Sequence, residues 1–327
     1  MFNAVLLEKD DTGQSASLTT LDQSALPDAD VLVRVDYSTI NYKDALALTG
    51  AAPIARHYPM VPGIDFAGTV EHSEDPRWPV GTRVLLNGWG VGEGHWGGLS
   101  QYARVKGDWL LQVPASLSTR QVMAIGTAGY TAALCVNALI DHGTATDGGP
   151  ILVTGATGGV GSISVALLAS AGYQVTAATG KLEAEDYLTS LGAHAVIDRS
   201  TLTESGKPLQ KELWNGVIDA VGGNTLANAC AQTRYSGAVA ACGLAESPKL
   251  PTTVMPFILR GVTLYGIDSV MAPVARRERA WQRIADHLNT DLLDGMVQEI
   301  ALGQALTEAA SVIAGQVTGR LLVDVNR

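Results

Sequence analysis

Apolar residues follow two rhythms along the chain. Over the first hundred positions, short strand-like runs (FNAVLLE at 2–8, VLVRVDY at 31–37, FAGTVE at 66–71, TRVLL at 82–86, QYARV at 101–105) are separated by Gly, Pro and Asp turns. That pattern predicts a twisted antiparallel barrel. From residue 119 the rhythm changes to an Ala-rich helix over 119–141, then to apolar runs alternating with helical stretches. The runs at 151–154, 173–178, 194–197, 216–220, 236–241 and 262–267 predict six strands joined by helical crossovers, a doubly wound parallel sheet of the α/β class. A charged helix over 273–289, a strand near 297–301, a helix near 305–314 and a strand at 320–325 follow. This tail is expected to complete the amino-terminal barrel, leaving the parallel sheet inserted within it.

Composition supports two packed modules: 327 residues, 46% of them hydrophobic and 17% charged, with 36 glycines for tight turns. A formal charge of −10 argues against duplex nucleic acid or an anionic membrane as the main partner, so an anionic ligand requires a local basic pocket. Cys135, Cys230 and Cys242 form no CxxC, which encodes neither a disulfide framework nor a thiolate zinc site. The opening MFNAVLLEKDD turns acidic within ten residues, unlike a secretory signal, and the expected setting is cytoplasmic. Segments 121–140 and 151–180 carry no charge, but glycines and threonines interrupt both, and they are read as core rather than membrane spans.

The stretch TGATGGVGS places Gly155, Gly158 and Gly161 at three-residue spacing between a buried strand and a helix. Such a turn lets backbone approach a pyrophosphate at the positive end of a helix. At the end of the second strand, where an NAD-selecting chain places Asp or Glu on the ribose, stand Thr179, Gly180 and Lys181, with Arg199 ending the neighbouring third strand. A hydroxyl and two cations suit a 2′-phosphate, which predicts NADPH over NADH; the plainer alternative makes both cations solvated surface charges.

The ATGGVG turn, GTAGYTA at 126–132, INYKD at 40–44 and PMVPGIDFAGTV at 59–70 together resemble the medium-chain dehydrogenase/reductase superfamily. CGL at 242–244, LPTTVMPFILRGVTLYGIDSV at 250–270 and RRERAWQR at 276–283 resemble its zinc-independent, quinone-oxidoreductase-like branch, closest to the bacterial acrylyl-CoA reductases. The resemblance implies a GroES-like catalytic domain from 1–122 and 269–327 and a Rossmann NADPH-binding domain over 123–268. It also implies cofactor contacts at Tyr42, Thr127, Thr131, Thr157, Gly158, Gly159, Val160, Thr179, Gly180, Lys181, Arg199, Leu244, Ile258 and Ser269. Zinc-dependent members carry GHE and a four-cysteine lobe; here GIDFAG stands in the first place and no cysteine precedes Cys135, so no metal is expected.

Without a Lewis acid, the accessible chemistry is hydride addition to a C=C bond conjugated to a carbonyl. The expected reaction is NADPH-dependent reduction of a short unsaturated acyl-CoA, acrylyl-CoA to propionyl-CoA. A quinone or enone reductase and a non-catalytic NADPH-binding protein are the alternatives. Candidate catalytic residues are Asn41, Tyr42 and Asp44: Asn41 donating to substrate or nicotinamide, Tyr42 to cofactor or enolate, Asp44 orienting both. Asn41 and Asp44 also read as simple helix caps. Where related enoyl reductases place a proton-donating tyrosine after a glycine, Gly50 is followed by Ala51, which leaves water as a proton source. Arg56, His57 and Tyr58 could line the pocket mouth, and Asp65 is expected to be buried and hydrogen-bonded. The arginines 276, 277, 279 and 283, and Arg320, could bind coenzyme A phosphates or simply face water. The sixth strand at the sheet edge suggests a homodimer.

Overall fold

The structure, a computed structural model, describes all residues from Met1 to Arg327. Tertiary contacts divide the chain into two units: Met1–Thr127, Ser269–Met271 and Leu293–Arg327 in one, Ala128–Asp268 and Ala272–Leu292 in the other.

In the first unit the strand Val31–Ile40 is the hub. Asp65–Ser73 pairs antiparallel along one of its edges. Tyr102–Val105 takes 31–34 on the other edge, and Arg320–Asp324 takes 37–40. Arg83–Asn87 and Leu111–Gln112 extend the sheet beyond Asp65–Ser73, and Val297–Ala301 lies parallel to Arg320–Asp324. The carboxy-terminal strand thus enters the amino-terminal sheet, as the hydrophobic pattern anticipates. Alternation along the hub serves two cores: Val31, Val33 and Val35 pack with Phe66, Leu86 and Val323, and Leu32 packs with Phe2, Leu6 and Val61. A strand the pattern does not predict, Gly13–Leu21, pairs along its whole length with Phe2–Asp10. Its sequence, GQSASLTTL, has too few apolar residues to announce itself, and its partner supplies the register.

The second unit holds six parallel strands in the order Ala195–Asp198, Val175–Thr179, Ile151–Thr154, Trp214–Asp219, Thr233–Ala241 and Thr263–Gly266. Numbered along the chain this is 3-2-1-4-5-6, the doubly wound Rossmann order with its switch point beside Ile151–Thr154. The expected boundary at residue 269 needs correction. The helix Val274–His287 belongs to this unit, because Ala280, Trp281 and Ile284 are buried, Arg283 reaches Asn137, and Ser170 donates to the His287 carbonyl at 2.7 Å.

The helix Thr119–His142 is long and apolar enough in composition to cross a membrane, but most of it is buried inside the protein. It is broken at Gly126, where φ is 56° and ψ −163°, a combination nearly confined to glycine. A Cβ there would overlap the Arg320 guanidinium and stand 3.0 Å from Asp65 Oδ2. Gly126→Ala should therefore cost about 3 kcal/mol of stability, read from the urea midpoint. A loss under about 1 kcal/mol would show that the guanidinium yields without strain.

Candidate functional site

In the first unit, candidate residues gather around a buried arginine. Asn41 precedes the helix Tyr42–Thr49, and its N–H donates to Asp44 Oδ2 at 2.8 Å. The Asn41 side-chain amide donates to Thr39 Oγ1 (3.0 Å), Asp44 Oδ2 (3.1 Å) and Asp65 Oδ2 (3.1 Å), while its Oδ1 accepts from Arg320 Nη1 at 3.1 Å. Asp65 also accepts from the Thr39 hydroxyl at 2.6 Å and the Thr127 N–H at 2.7 Å. Arg320 Nη2 donates to Thr39 Oγ1 at 3.1 Å, and Ile64 N–H donates to Asp44 Oδ1 at 2.9 Å.

This geometry changes two sequence expectations. Asn41 has both amide hydrogens committed inside the protein, so it is a positioning residue rather than a donor to substrate. Arg320 is buried and bound to Asn41 and Thr39, so it cannot meet a phosphate in solvent. Asp44 is wholly enclosed. Burial, then the charge of Asp65, pushes its carboxyl up to about 7 against the pull of the Asn41 and Ile64 donors. Burial lowers the Arg320 pKa and the two carboxylates oppose that shift, Asp65 more than Asp44. Of the three catalytic candidates only Tyr42, 42% exposed, presents its side chain to solvent.

In the second unit the strand Ile151–Thr154 runs through the glycine turn into the helix Gly159–Ser170. Gly158 caps this helix without a side-chain hydrogen bond, and no acid stands in the first turn. The leading amides are thus available to an anion. A Cβ on Gly161 would overlap the Gly155 carbonyl, so the turn closes only with glycine. The hydroxyls of Thr157 and Thr179, both buried, lie 3.1 Å apart, and Lys181 N–H donates to Thr179 Oγ1 at 3.0 Å. Arg199 N–H donates to the Thr179 carbonyl at 2.9 Å, and its guanidinium lies against Gly180. Partial burial pulls the Lys181 ammonium below the ordinary lysine value, with Glu183 opposing. Lys181, the Arg199 guanidinium, the Thr179 hydroxyl and Gly180 thus belong to the end of the second strand and its neighbour, a set of residue types that suits a phosphate monoester.

The remaining candidates are dispersed. Thr131 is buried on the long helix, and Thr127 is buried with its hydroxyl accepting from Asn87 Nδ2 at 3.2 Å. Leu244 (59% exposed) follows the fifth strand, and Ile258 (71% exposed) lies on the helix Met255–Arg260. Ser269 belongs to the short 269–271 segment of the first unit. The four-arginine cluster does not form one anion site: Arg277 is buried and donates to the Ala272 carbonyl at 2.7 Å, Arg279 pairs with Asp141 at 2.6 Å, and Arg283 binds Asn137.

Sequence reasoning missed Asp219. Its buried carboxylate accepts from the Thr154 hydroxyl (2.7 Å) and from the Gly222 (2.8 Å) and Val221 (3.2 Å) amides, tying the ends of the first and fourth strands to the turn that follows the fourth. Burial raises its pKa against those donors. The signal was an acid closing the apolar run VID just before VGG.

Residues 159–287 match the family described as zinc-binding dehydrogenase, and 27–115 match the alcohol dehydrogenase GroES-like domain. No three His, Cys, Asp or Glu side chains gather where they could hold a metal ion. The chain is 55% identical to the probable acrylyl-CoA reductase AcuI of Escherichia coli K12, with 99% of each protein covered. It is 52% identical to the acrylyl-CoA reductase AcuI of Ruegeria pomeroyi, with 100% of each covered. Among solved structures, the yhdH oxidoreductase of Salmonella enterica in complex with NADP superposes with a TM-score of 0.97 at 54% identity, with 99% of each chain covered.

The Asp44 environment has a measurable sign. Because its folded pKa lies near 7, above the ordinary 3.8, the protonated carboxyl is the form that folding favours. That contribution is complete below about pH 4 and disappears as pH rises through about 7. Between about pH 5 and pH 8 the wild type should lose at least about 1 kcal/mol more stability than Asp44→Asn, measured by urea unfolding. Equal slopes would show that Asp44 is ionised throughout.

Proposed function

Since the chain belongs to the medium-chain dehydrogenase/reductase superfamily, in the branch of the AcuI relatives, we propose that it reduces the C=C bond of a short α,β-unsaturated acyl-CoA with NADPH. Acrylyl-CoA is the favoured substrate and propionyl-CoA the product, and no metal takes part. The observation that carries the cofactor half is the end of the second strand, where Thr179, Lys181 and Arg199 stand in place of a ribose-binding carboxylate. The substrate half rests on full-length identity to proteins named for that reaction.

In this reading Lys181, Arg199 and the Thr179 hydroxyl hold the 2′-phosphate, and the amides of Gly159 and Val160 face the pyrophosphate while that of Gly158 closes the turn on the Gly155 carbonyl. When bound, NADPH supplies the hydride. Hydride addition at the substrate β-carbon would shift the olefinic pair into a new bond between the α-carbon and the carbonyl carbon and the carbonyl pair onto oxygen, giving an enolate whose α-carbon takes a proton. The exposed Tyr42 hydroxyl donates to the enolate oxygen, and water delivers the α-proton. Asn41, Asp44, Asp65 and Arg320 act from behind, fixing the start of the Tyr42 helix and the Thr127 amide.

The same reading includes a homodimer in the cytoplasm. The first is supported by the end position of Thr263–Gly266 in its sheet, by exposed Ile258 and Leu259 just before it in the chain, and by exposed Tyr235 on the neighbouring strand. The second is supported by three unpaired cysteines.

NADPH consumption measured in parallel with acrylyl-CoA, crotonyl-CoA, free acrylate and a quinone should favour acrylyl-CoA over the quinone by at least about tenfold in kcat/KM. Quinone preference would overturn the substrate assignment. Lys181→Glu combined with Arg199→Ala should raise the KM for NADPH about a hundredfold and that for NADH by no more than about threefold. An equal loss for both cofactors would refute the phosphate pocket.

A further inference from the structure

The helix that begins with Tyr42 continues with Lys43, and Lys43 belongs to a second charged group that the reaction described above does not use. Lys43 Nζ lies 2.7 Å from Glu93 Oε1, and Arg56 Nη2 lies 3.6 Å from the other oxygen of the same carboxylate. The two loops are joined through their backbones: Arg56 N–H donates to the Glu93 carbonyl at 2.8 Å, and the His57 ring Nε2 lies 3.0 Å from the Gly94 carbonyl. The Glu93 side chain is 13% exposed and the Arg56 side chain 72% exposed. A largely covered carboxylate therefore anchors two cations, and it grips Lys43 far more closely than Arg56. Two positive charges share one negative charge, in a chain whose total is −10.

That asymmetry has a chemical meaning. Arg56 carries five N–H donors in a planar fork, and its one ionic partner is a single oxygen at a distance too long for a hydrogen bond. The fork remains open to an oxyanion, held at the root by its backbone bond to Glu93 and linked through that carboxylate to Lys43, the residue that follows the one catalytic candidate facing solvent. We propose that Arg56, with Lys43, forms the subsite for the phosphates of the coenzyme A carrier. This rests on the acyl-CoA reading above. A three-carbon acyl group offers little to bind, whereas coenzyme A brings several phosphate charges that a chain of net −10 otherwise repels. A guanidinium fork receives two phosphate oxygens at once, and the neighbouring ammonium adds a point charge.

The test compares two substrates and one ligand. In the wild type, kcat/KM is measured for acrylyl-CoA and for acrylyl-pantetheine, which has the same thioester without the phosphates, and the affinity for free coenzyme A is measured by calorimetry. Arg56→Glu should lower the ratio of the two kcat/KM values at least about tenfold through the KM for acrylyl-CoA, and should weaken coenzyme A binding by a similar factor. Arg56→Lys should recover only part of both, because the charge returns without the fork. A ratio and a coenzyme A affinity within about twofold of wild type would overturn the subsite while leaving acyl-CoA reduction standing. A loss confined to the KM for NADPH would overturn it too, by assigning the guanidinium to the other phosphate-bearing ligand. Coenzyme A binding that depends on Arg56, in an enzyme that reduces neither thioester, would keep the subsite and refute the reaction.

Discussion

A guanidinium removed from water must find its counter-charge and its acceptors where it sits, and Arg320 finds them on separated stretches of chain. Thr39 and Asn41 accept from it directly, and Asp65, bound to both of those residues, supplies negative charge alongside Asp44. Burial first, and then the charge of Asp65 in a cluster that sets two carboxylates against one guanidinium, raises the Asp44 pKa toward neutrality. The start of the Tyr42 helix, the break at Gly126 and the Thr127 amide all meet in this cluster, so the placement of the exposed Tyr42 side chain depends on groups buried within the unit.

The second unit solves a different problem with the same economy of parts. An open sheet presents strand ends, and three adjacent ends here carry bonded polar groups: Thr154 and Asp219 bond across adjacent strands, while Thr179 receives the amide of Lys181 on its hydroxyl and that of Arg199 on its carbonyl. The glycine turn adds a helix start with no competing acid. The glycine turn and the cations proposed to hold the cofactor are thus local, lying within residues 155–199, whereas the buried polar cluster of the first unit is assembled from distant segments.

That contrast explains what could be read from the amino-acid sequence. The six parallel strands, the glycine turn and the cations at 181 and 199 are local patterns, and each appears in the structure within a few residues of its expected place. Asn41 and Asp44 were visible as a pair, but their occupation was not, because the partners that saturate Asn41 include one 279 residues away. Arg320 reads as an exposed residue opening a strand; nothing near it in the chain signals burial. Gly13–Leu21 escaped notice because its order comes from its neighbour rather than from its own apolar content.

Arg320 lies downstream of the whole second unit, whose residues span 128–268 and 272–292. A ribosome therefore delivers Thr39, Asn41, Asp44 and Asp65 long before the cation that neutralises them, and finishes the Rossmann sheet in between. During synthesis the acidic pair must wait in a hydrated, unfinished barrel, and that barrel can close only after the inserted domain has emerged.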